Sequence, residues 1–474
     1  MISFGDTFAR VKQCFEKPDI ESRLKPNLES VTIIRDVYGK IRLFLEPKKI
    51  TEDNGSQNSI KLNSSDINKL KQYLNAELGS YCDNDIWCPE PEGKQDGYKA
   101  LIDVIITKRI PAEWDREDIS PRWHILERHI AKHTWTNGNS GNPPWEIEKV
   151  DQGDKPAIIT FFSFKGGVGR TTALVATALT LARNGHRVAI VDLDLEAPGL
   201  SSIFSPDNPK PFGVIDYLLE KKIQSNNWSL RDHILTINDP LLIGDLGEEL
   251  YLLSAGTVDN NYLEKLARLD FQNLIDHQIP KTLQEMLKEI ESDKQPLDFI
   301  LLDSRAGFHD IGGLALTDLS HAAVIFGRQS RQSWAGLTHV ISRLSRPLAP
   351  EDERQLPVVL VHAMSPGLRE TARYGEYKDF NLKAYQVFAE NYYYADDEVP
   401  NLGDDVAPFQ SLILPLQDGL QGDISLFTHD ESEAENRRLQ DLINLMTNEY
   451  YTIIARKLCN LFGKNFNKIH EEII

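Results

Sequence analysis

Long apolar runs are missing from this chain. No stretch of eighteen consecutive apolar residues occurs in its 474 residues, which excludes a conventional membrane-spanning helix. Cysteine is scarce too, with only Cys14, Cys82, Cys88 and Cys459. None has the CxxC spacing of a metal site, and four scattered cysteines do not make the disulfide framework of a small secreted domain. Positive charge is the third deficit: 52 Lys and Arg stand against 71 Asp and Glu, a net charge of −19. Of these, 22 basic and 24 acidic residues fall in residues 1–150, so the remainder carries −17. A protein that coats nucleic acid needs a basic face, and this balance argues against that role. The exception is a stripe of arginines, Arg328, Arg331, Arg343 and Arg346. It leaves DNA contact as an alternative to a solvated or partner-facing helix. The opening Met-Ile-Ser-Phe-Gly-Asp lacks the basic-then-apolar order of a secretory leader, so a cytoplasmic chain is expected.

What is present is more specific. Residues 158–164 are β-branched and aromatic, the pattern of a buried strand, and residues 171–184 are alanine- and leucine-rich with helical spacing, stopped by Gly185. Between them stands Lys165-Gly166-Gly167-Val168-Gly169-Arg170-Thr171-Thr172. Glycines in a strand-to-helix turn let backbone N–H groups converge on an anion, because no Cβ blocks the approach. The helix N-terminus adds partial positive charge. Thr171 stands where its hydroxyl can ligate Mg²⁺ beside a bound phosphate.

Two more apolar strands are expected at residues 188–191 and 299–302. The first runs into Asp192-Leu193-Asp194-Leu195-Glu196-Ala197-Pro198-Gly199-Leu200 and the second into Asp303-Ser304-Arg305-Ala306-Gly307. Strand ends place such carboxylates at the ligand crevice of an open α/β sheet. Further apolar runs at 322–326, 358–362 and 412–416 complete the expected sheet.

The first of these segments resembles the deviant Walker A motif, KGGxGK[ST], of the MinD/ParA class of P-loop ATPases, in its KGGVGR variant. The second resembles the family's switch I, DxDxxxxxL, and the third its Walker B and switch II, hhhhDxxxG. The resemblance covers residues 155–430. It implies an α/β fold with a doubly wound, mostly parallel sheet that binds ATP and Mg²⁺. Gly166, Gly167, Val168, Gly169, Arg170, Thr171 and Thr172 would surround the phosphates, with Arg170 in the place of the family's second lysine. Lys165 would reach across an ATP-sandwiched homodimer. Thr171, Asp192 and Asp303 would serve the metal, Asp194 would orient the attacking water, and Gly307 would offer its N–H to the γ-phosphate. Pro415 and Leu416 would border the adenine, and His362 takes a place where the family often has asparagine. Arginine is bulkier than lysine and presents a planar fork, so phosphate binding is expected to survive while turnover is slowed. Arg305 is expected to pair with a neighbouring carboxylate rather than to act as an arginine finger. The nucleotide-binding part lacks the cysteines of the family's iron–sulfur branch.

The implied activity is an ATPase switch whose nucleotide-bound form dimerises or assembles with protein partners, plausible in a bacterial multi-gene defence or antiphage system. Three alternatives stay open: an ATP-dependent scaffold with little hydrolysis, a metabolic ligase or kinase on the same fold, and a ParA-like ATPase that positions DNA or cargo.

The length suggests two or three domains. Residues 134–156, rich in Gly, Asn and Pro, read as a linker. The expected division is therefore an N-terminal mixed α/β accessory domain at 1–150, the P-loop domain at 151–430, and a C-terminal helix at 431–474. Within the first, residues 31–45 read as a hairpin around Tyr38-Gly39, 52–65 as a polar break, 66–78 as a helix and 101–106 as a strand. Residues 123–133 read as a short helix carrying His124, His129 and His133, an ordinary helix face rather than a metal site. Having no catalytic constellation, this part reads as a partner-binding module. The C-terminal helix is amphipathic. Packing on the core is favoured over a membrane, because Glu471 and Glu472 would be repelled by anionic lipid.

Overall fold

A computed structural model of the chain describes residues 2–51, 57–89, 96–129, 131–136, 143–205, 210, 212–224, 228–269, 278–292, 296–345, 347–349, 352–366, 374–393, 398–428 and 432–468. The fold divides into two compact units, Met1–Ile130 and Ala131–Ile474.

The first unit is built on a five-stranded sheet. Its strands are β1 (Leu28–Arg35), β2 (Ile41–Pro47), β3 (Cys82–Trp87), β4 (Ile110–Pro111) and β5 (Arg122–Glu127), in the order β3-β2-β1-β5-β4. β1 and β2 form the expected antiparallel hairpin around Gly39, whose φ of +80° suits glycine. β1 pairs in parallel with β5. Helices α1 (Thr7–Phe15), α2 (Ser64–Leu78) and α3 (Asp96–Lys108) complete it. Alternate residues of the central strands feed two clusters. Val31, Ile33, Leu43 and Leu45 join Val11, Leu70 and Leu74 of α1 and α2. Ile34 and Phe44 face Ile105 of α3 and Leu126. Both faces of β1 and β2 are therefore covered, as period-2 alternation requires when neither face meets water.

Two expectations fail here. Residues 101–106 lie in helix α3, not a strand. The run Leu-Ile-Asp-Val-Ile-Ile is ambiguous by period, and its length with the preceding turn decides for helix. Residues 123–133 are not a helix: His124 lies on β5, and β1 recruits this segment as a parallel neighbour. His124 and His129 thus do not share a helix face. The side chain of His133 lies outside the described residues.

The second unit carries α4 (His133–Thr136), α5 (Ile147–Asp151), β6 (Ala157–Ser163), α6 (Arg170–Arg183), β7 (Val188–Asp192), α7 (Val214–Gln224), β8 (Leu235–Ile237), β9 (Leu250–Leu253), α8 (Gln278–Ser292) and β10 (Phe299–Asp303). It continues with α9 (Asp310–Leu314), β11 (Ala322–Gly327), α10 (Arg331–Leu344), β12 (Val358–Ser365), α11 (Tyr374–Asn391), β13 (Leu412–Pro415), α12 (Glu433–Met446) and α13 (Glu449–Leu461). Eight strands form one sheet in the order β8-β9-β7-β10-β6-β11-β12-β13. Every pairing is parallel except the edge pair β8–β9. Helices cover both sides, the doubly wound arrangement expected of the motifs. β6, β7, β10 and β11 are buried throughout, which is why they read as continuous apolar runs. β10 lies between β6 and β7, and β11 lies on the other side of β6. The crevice at the carboxyl ends of these strands is where such sheets take ligands.

The described residues of the expected linker are folded. Trp145 is buried, donates from Nε1 to the Pro156 carbonyl at 2.9 Å, and stacks on His321. Residues 131–136 and 143–150 therefore belong to the second unit, and the boundary moves from 150 to 130. Residues 137–142, the most glycine-rich part, lie outside the described residues.

The C-terminal segment is two helices rather than one. Asn448 interrupts it by capping α13, its side chain accepting from the Tyr450 N–H at 3.0 Å. α13 lies against α6 and β13 and buries Tyr451, Ile454, Leu458 and Cys459. Cys459 thus belongs to the core of the second unit, with its Sγ 3.7 Å from His186 Nε2. Burial pushes its thiol up to about 12. Among the described residues no helix is long and apolar enough to cross a membrane. Glu431, Glu471 and Glu472 lie outside the described residues. Of the arginine stripe, Arg343 is buried and donates to the Thr134 carbonyl, and Arg346 lies outside the described residues.

Candidate functional site

The glycine turn between β6 and α6 is open on its outer side. Gly167 and Gly169 adopt φ of +69° and +81°, a region that glycine enters without strain. A Cβ built on Gly166, Gly167 or Gly169 would meet nothing within 4 Å. A concavity of backbone therefore stands at the N-terminus of the 14-residue helix α6, as an anion cradle needs. Val168 is buried in the core and anchors the turn. Thr172 occupies the first turn of α6. Lys165 is half-buried with its Nζ 5.5 Å from the Phe164 ring centre. Among the described residues its ammonium makes no ion pair.

Arg170 pairs with two carboxylates beside this cradle. Its Nε donates to Asp303 Oδ1 at 2.7 Å and its Nη2 to Asp194 Oδ2 at 3.2 Å. Thr171 Oγ1 donates to the other oxygen of Asp303 at 2.7 Å. Register explains the meeting: Asp303 and Asp192 are paired partners at the ends of β10 and β7, beside β6. Asp192 accepts the N–H groups of Asp194, Gly199 and Leu200 at 3.1, 3.2 and 3.2 Å, which shapes the turn after β7. Burial pushes the Asp192 carboxyl up, the Asp303 charge adds to that, and the three N–H groups oppose it. Burial also raises Asp303 against the pull of Arg170 and Thr171. Burial disfavours the charged guanidinium of Arg170, but the carboxylates of Asp303 and Asp194 outweigh it and hold its pKa above the ordinary value. Converging carboxylates in a dry site need a cation, and in this structure Arg170 is that cation. It was expected on the phosphates.

The turns after β7 and β10 are bridged. Arg305 pairs with Glu196 Oε2 at 3.0 Å and approaches Asp194 Oδ1 at 3.6 Å, so the carboxylate-pairing expectation for Arg305 describes its geometry. His309 Nε2 meets the other oxygen of Glu196. Gly307 has φ of +79°, and its N–H donates to the Ser163 carbonyl at 3.1 Å. That N–H is thus engaged inside the protein rather than turned to the cradle.

The structure brings Arg170, Thr171, Asp192, Asp194, Asp303 and Arg305 together beside the glycine turn. It does not bring Pro415 and Leu416 there. Pro415 ends β13, three strands away from β6, and Leu416 follows it and is exposed. His362, on β12, is buried with its ring stacked on Phe380 at 4.0 Å. Sequence reasoning passed over Glu196 and His309. Both lie within or beside the motif segments, and their signal was charge complementary to Arg305 across the two turns.

The residues present fit a magnesium ion. The Thr171 hydroxyl in the first turn of α6 and two carboxylates at strand ends lie next to an open backbone cradle, the oxygen donor set that such an ion takes with phosphate.

Residues 156–347 match a family model described as "AAA domain". The chain is 26% identical over 174 residues to the cytosolic Fe-S cluster assembly factor CFD1 of Candida albicans, covering 35% of this chain and 50% of that protein. It is 24% identical over 168 residues to the septum site-determining protein MinD of Neisseria meningitidis serogroup B, covering 35% and 52%. The chain thus spans about half the length of these curated relatives. Among solved structures, a ParA family ATPase from Chlorobium tepidum TLS aligns with a TM-score of 0.40 at 15% identity, covering 64% of this chain and 99% of that one.

Proposed function

We infer, from the MinD/ParA-like P-loop ATPase domain that residues 156–347 carry, that this chain is a nucleotide switch that binds and hydrolyses ATP. The observation that carries the reading is the meeting of Arg170, Thr171, Asp303 and Asp194 beside an open glycine cradle. The N–H groups of residues 166–172 bind the phosphates, and helix α6 adds its partial charge. Thr171 and Asp303 would hold Mg²⁺, with Asp192 behind them; the ion would supply neutralisation of the charge that develops on the leaving phosphate oxygens. Asp194 orients the attacking water and accepts its proton. Lys165, with no ion-pair partner among the described residues, reaches to the phosphates held by a second copy. Arg170 holds the carboxylates together in the resting site and has the charge to serve the phosphates when nucleotide enters. Pro415 and Leu416 are proposed at the base.

The first unit is proposed to bind protein partners, and a cytoplasmic setting follows from the reading. The relatives named for iron–sulfur assembly do not lend that role here, because Cys459 is the one cysteine in residues 131–474 and is buried. A multi-gene defence setting rests on the sequence resemblance alone; a phage-plaque assay with and without the gene tests it.

Single-turnover hydrolysis of radiolabelled ATP by the full chain tests the central reading. Asp194→Asn is expected to keep nucleotide binding and to lower the rate by about 10²–10⁴-fold; an unchanged rate sinks the reading. The Arg170 ion pairs favour a second reading, an ATP-dependent scaffold. Intact ATP retained for hours by the wild-type chain would select it.

A further inference from the structure

Ala131, Lys132, His133, Thr134, Trp135 and Thr136 form no catalytic pattern in the sequence, yet this segment is fastened to the loop that follows Asp303. Lys132 adopts φ of +67°, a conformation that a lysine keeps only where its surroundings hold it. Its backbone N–H donates to Asp310 Oδ1 at 2.6 Å and its Nζ pairs with Oδ2 at 3.3 Å. Trp135 Nε1 donates to the His309 carbonyl at 2.8 Å. Arg343 donates to the Thr134 carbonyl at 2.6 Å from the other side. A Cβ on Gly313 would fall inside the Thr134 side chain and against Trp135 Nε1, so the segment lies flush on α9.

From Trp135 two routes lead to the nucleotide site. The polar one runs from the His309 backbone to the His309 ring, then to Glu196, to Arg305 at 3.0 Å, and to Asp194 at 3.6 Å. The aromatic one runs from the Trp135 ring to Phe308 at 5.2 Å, to Phe164 at 5.1 Å, and to the ammonium of Lys165 at 5.5 Å from that ring. The Phe164 ring has its place because Gly336 of α10 has no side chain to occupy it. One tryptophan is therefore linked to both Asp194 and Lys165, through His309, Glu196 and Arg305 on the polar route and through Phe308 and Phe164 on the aromatic one.

We propose that Trp135 is a positioning residue of the nucleotide site: through His309 and Phe308 it holds the turns that carry Asp194 and Lys165. The residue acts through others and touches no substrate. A misplacement of reacting groups by about 1 Å from a remote change costs on the order of 10²-fold in rate, so the effect is measurable. The inference rests on the ATPase reading for its kinetic arm only.

The test uses the full chain with Trp135→Ala and Trp135→Phe, read by hydrogen exchange of residues 303–314 and 192–200, single-turnover hydrolysis, and affinity for a fluorescent ADP analogue. Trp135→Ala is expected to accelerate exchange in both turns and to slow turnover at least about tenfold. ADP affinity should stay within about twofold, since ADP makes no use of Asp194 or Lys165. Trp135→Phe, which restores the ring and not the N–H, is expected to recover part of the rate. Exchange raised evenly over the whole chain, with the rate per folded molecule unchanged, would mean a purely structural tryptophan and overturn the proposal. If Trp135→Ala does not fold, Gly313→Ala lifts the segment with the tryptophan retained and is expected to give the same pattern; an unchanged rate and unchanged exchange in that variant overturn the proposal equally. A wild-type chain with no turnover defeats the ATPase reading, and the exchange arm then decides on Trp135 alone.

Discussion

Arg170 Nε lies 2.7 Å from Asp303 Oδ1, and the same guanidinium reaches Asp194 with its Nη2. The residue at the phosphate-binding position is thus the counter-ion of the acidic residues opposite it. Removing it leaves buried carboxylates without compensation, and a broken buried pair costs about 3–5 kcal/mol. Arg170→Ala is expected to lose stability in that range by urea denaturation at pH 7. Arg170→Lys should lose less, because the charge stays while a single ammonium cannot fork to both acids. Equal losses for the two variants would show that shape rather than charge holds the site.

Lys165 has no ion-pair partner among the described residues, so its removal costs the single chain only the contact of its ammonium with the Phe164 ring. Lys165→Ala is expected to leave the thermal midpoint unchanged and to abolish ATP-dependent dimerisation in light scattering. A dimer that persists with ATP would detach Lys165 from the proposed sandwich.

His321 links the 143–150 segment to the sheet. It accepts from the Ile158 N–H at 3.1 Å, and Nε2 lies 2.9 Å from the Trp145 carbonyl, which assigns the proton to Nε2. Burial holds its pKa down at about 4. The unfolded chain takes up the proton near pH 6.5 and the folded chain does not, so this stability is present above pH 6.5 and is lost as the pH falls towards 4. The loss reaches about 3 kcal/mol at pH 4, at 1.36 kcal/mol per pH unit. Denaturation midpoints measured from pH 7 to pH 4 should fall more steeply for the wild type than for His321→Asn. Parallel slopes would refute it.

Gly336 leaves space that the Phe164 ring fills. Gly336→Ala is an overpacking change next to the glycine turn and is expected to cost about 1–3 kcal/mol. Calorimetry with and without nucleotide checks this, and a neutral result would mean that Phe164 has a second place to go.

The sheet around the nucleotide site was legible because its strands are buried on both faces and read as apolar runs broken by aspartate or glycine. The turn at 165–170 was legible because glycine there answers a steric demand. The contacts of Arg170 were not legible, since nothing local distinguishes a guanidinium facing phosphate from one facing carboxylates 24 and 133 residues away. The first unit misled at two places where pairing overrides local pattern: β5 forms because β1 offers an edge, and α3 forms from residues that would serve a strand equally well. The 134–156 segment misled by composition. Its glycines and asparagines spoke for a linker, while Trp135 and Trp145 were the residues that decide, each buried or half-buried with its indole N–H satisfied.

The boundary between Ile130 and Ala131 also marks where this chain could be spliced with another. A recombination joint at 150 would carry Trp135 and Thr134 away with the leading unit and strip the loop after Asp303 of its fastening. A joint at 130 leaves that fastening with the second unit. A joint upstream of the tryptophan thus keeps residues 131–136 with the second unit and with the loop they hold.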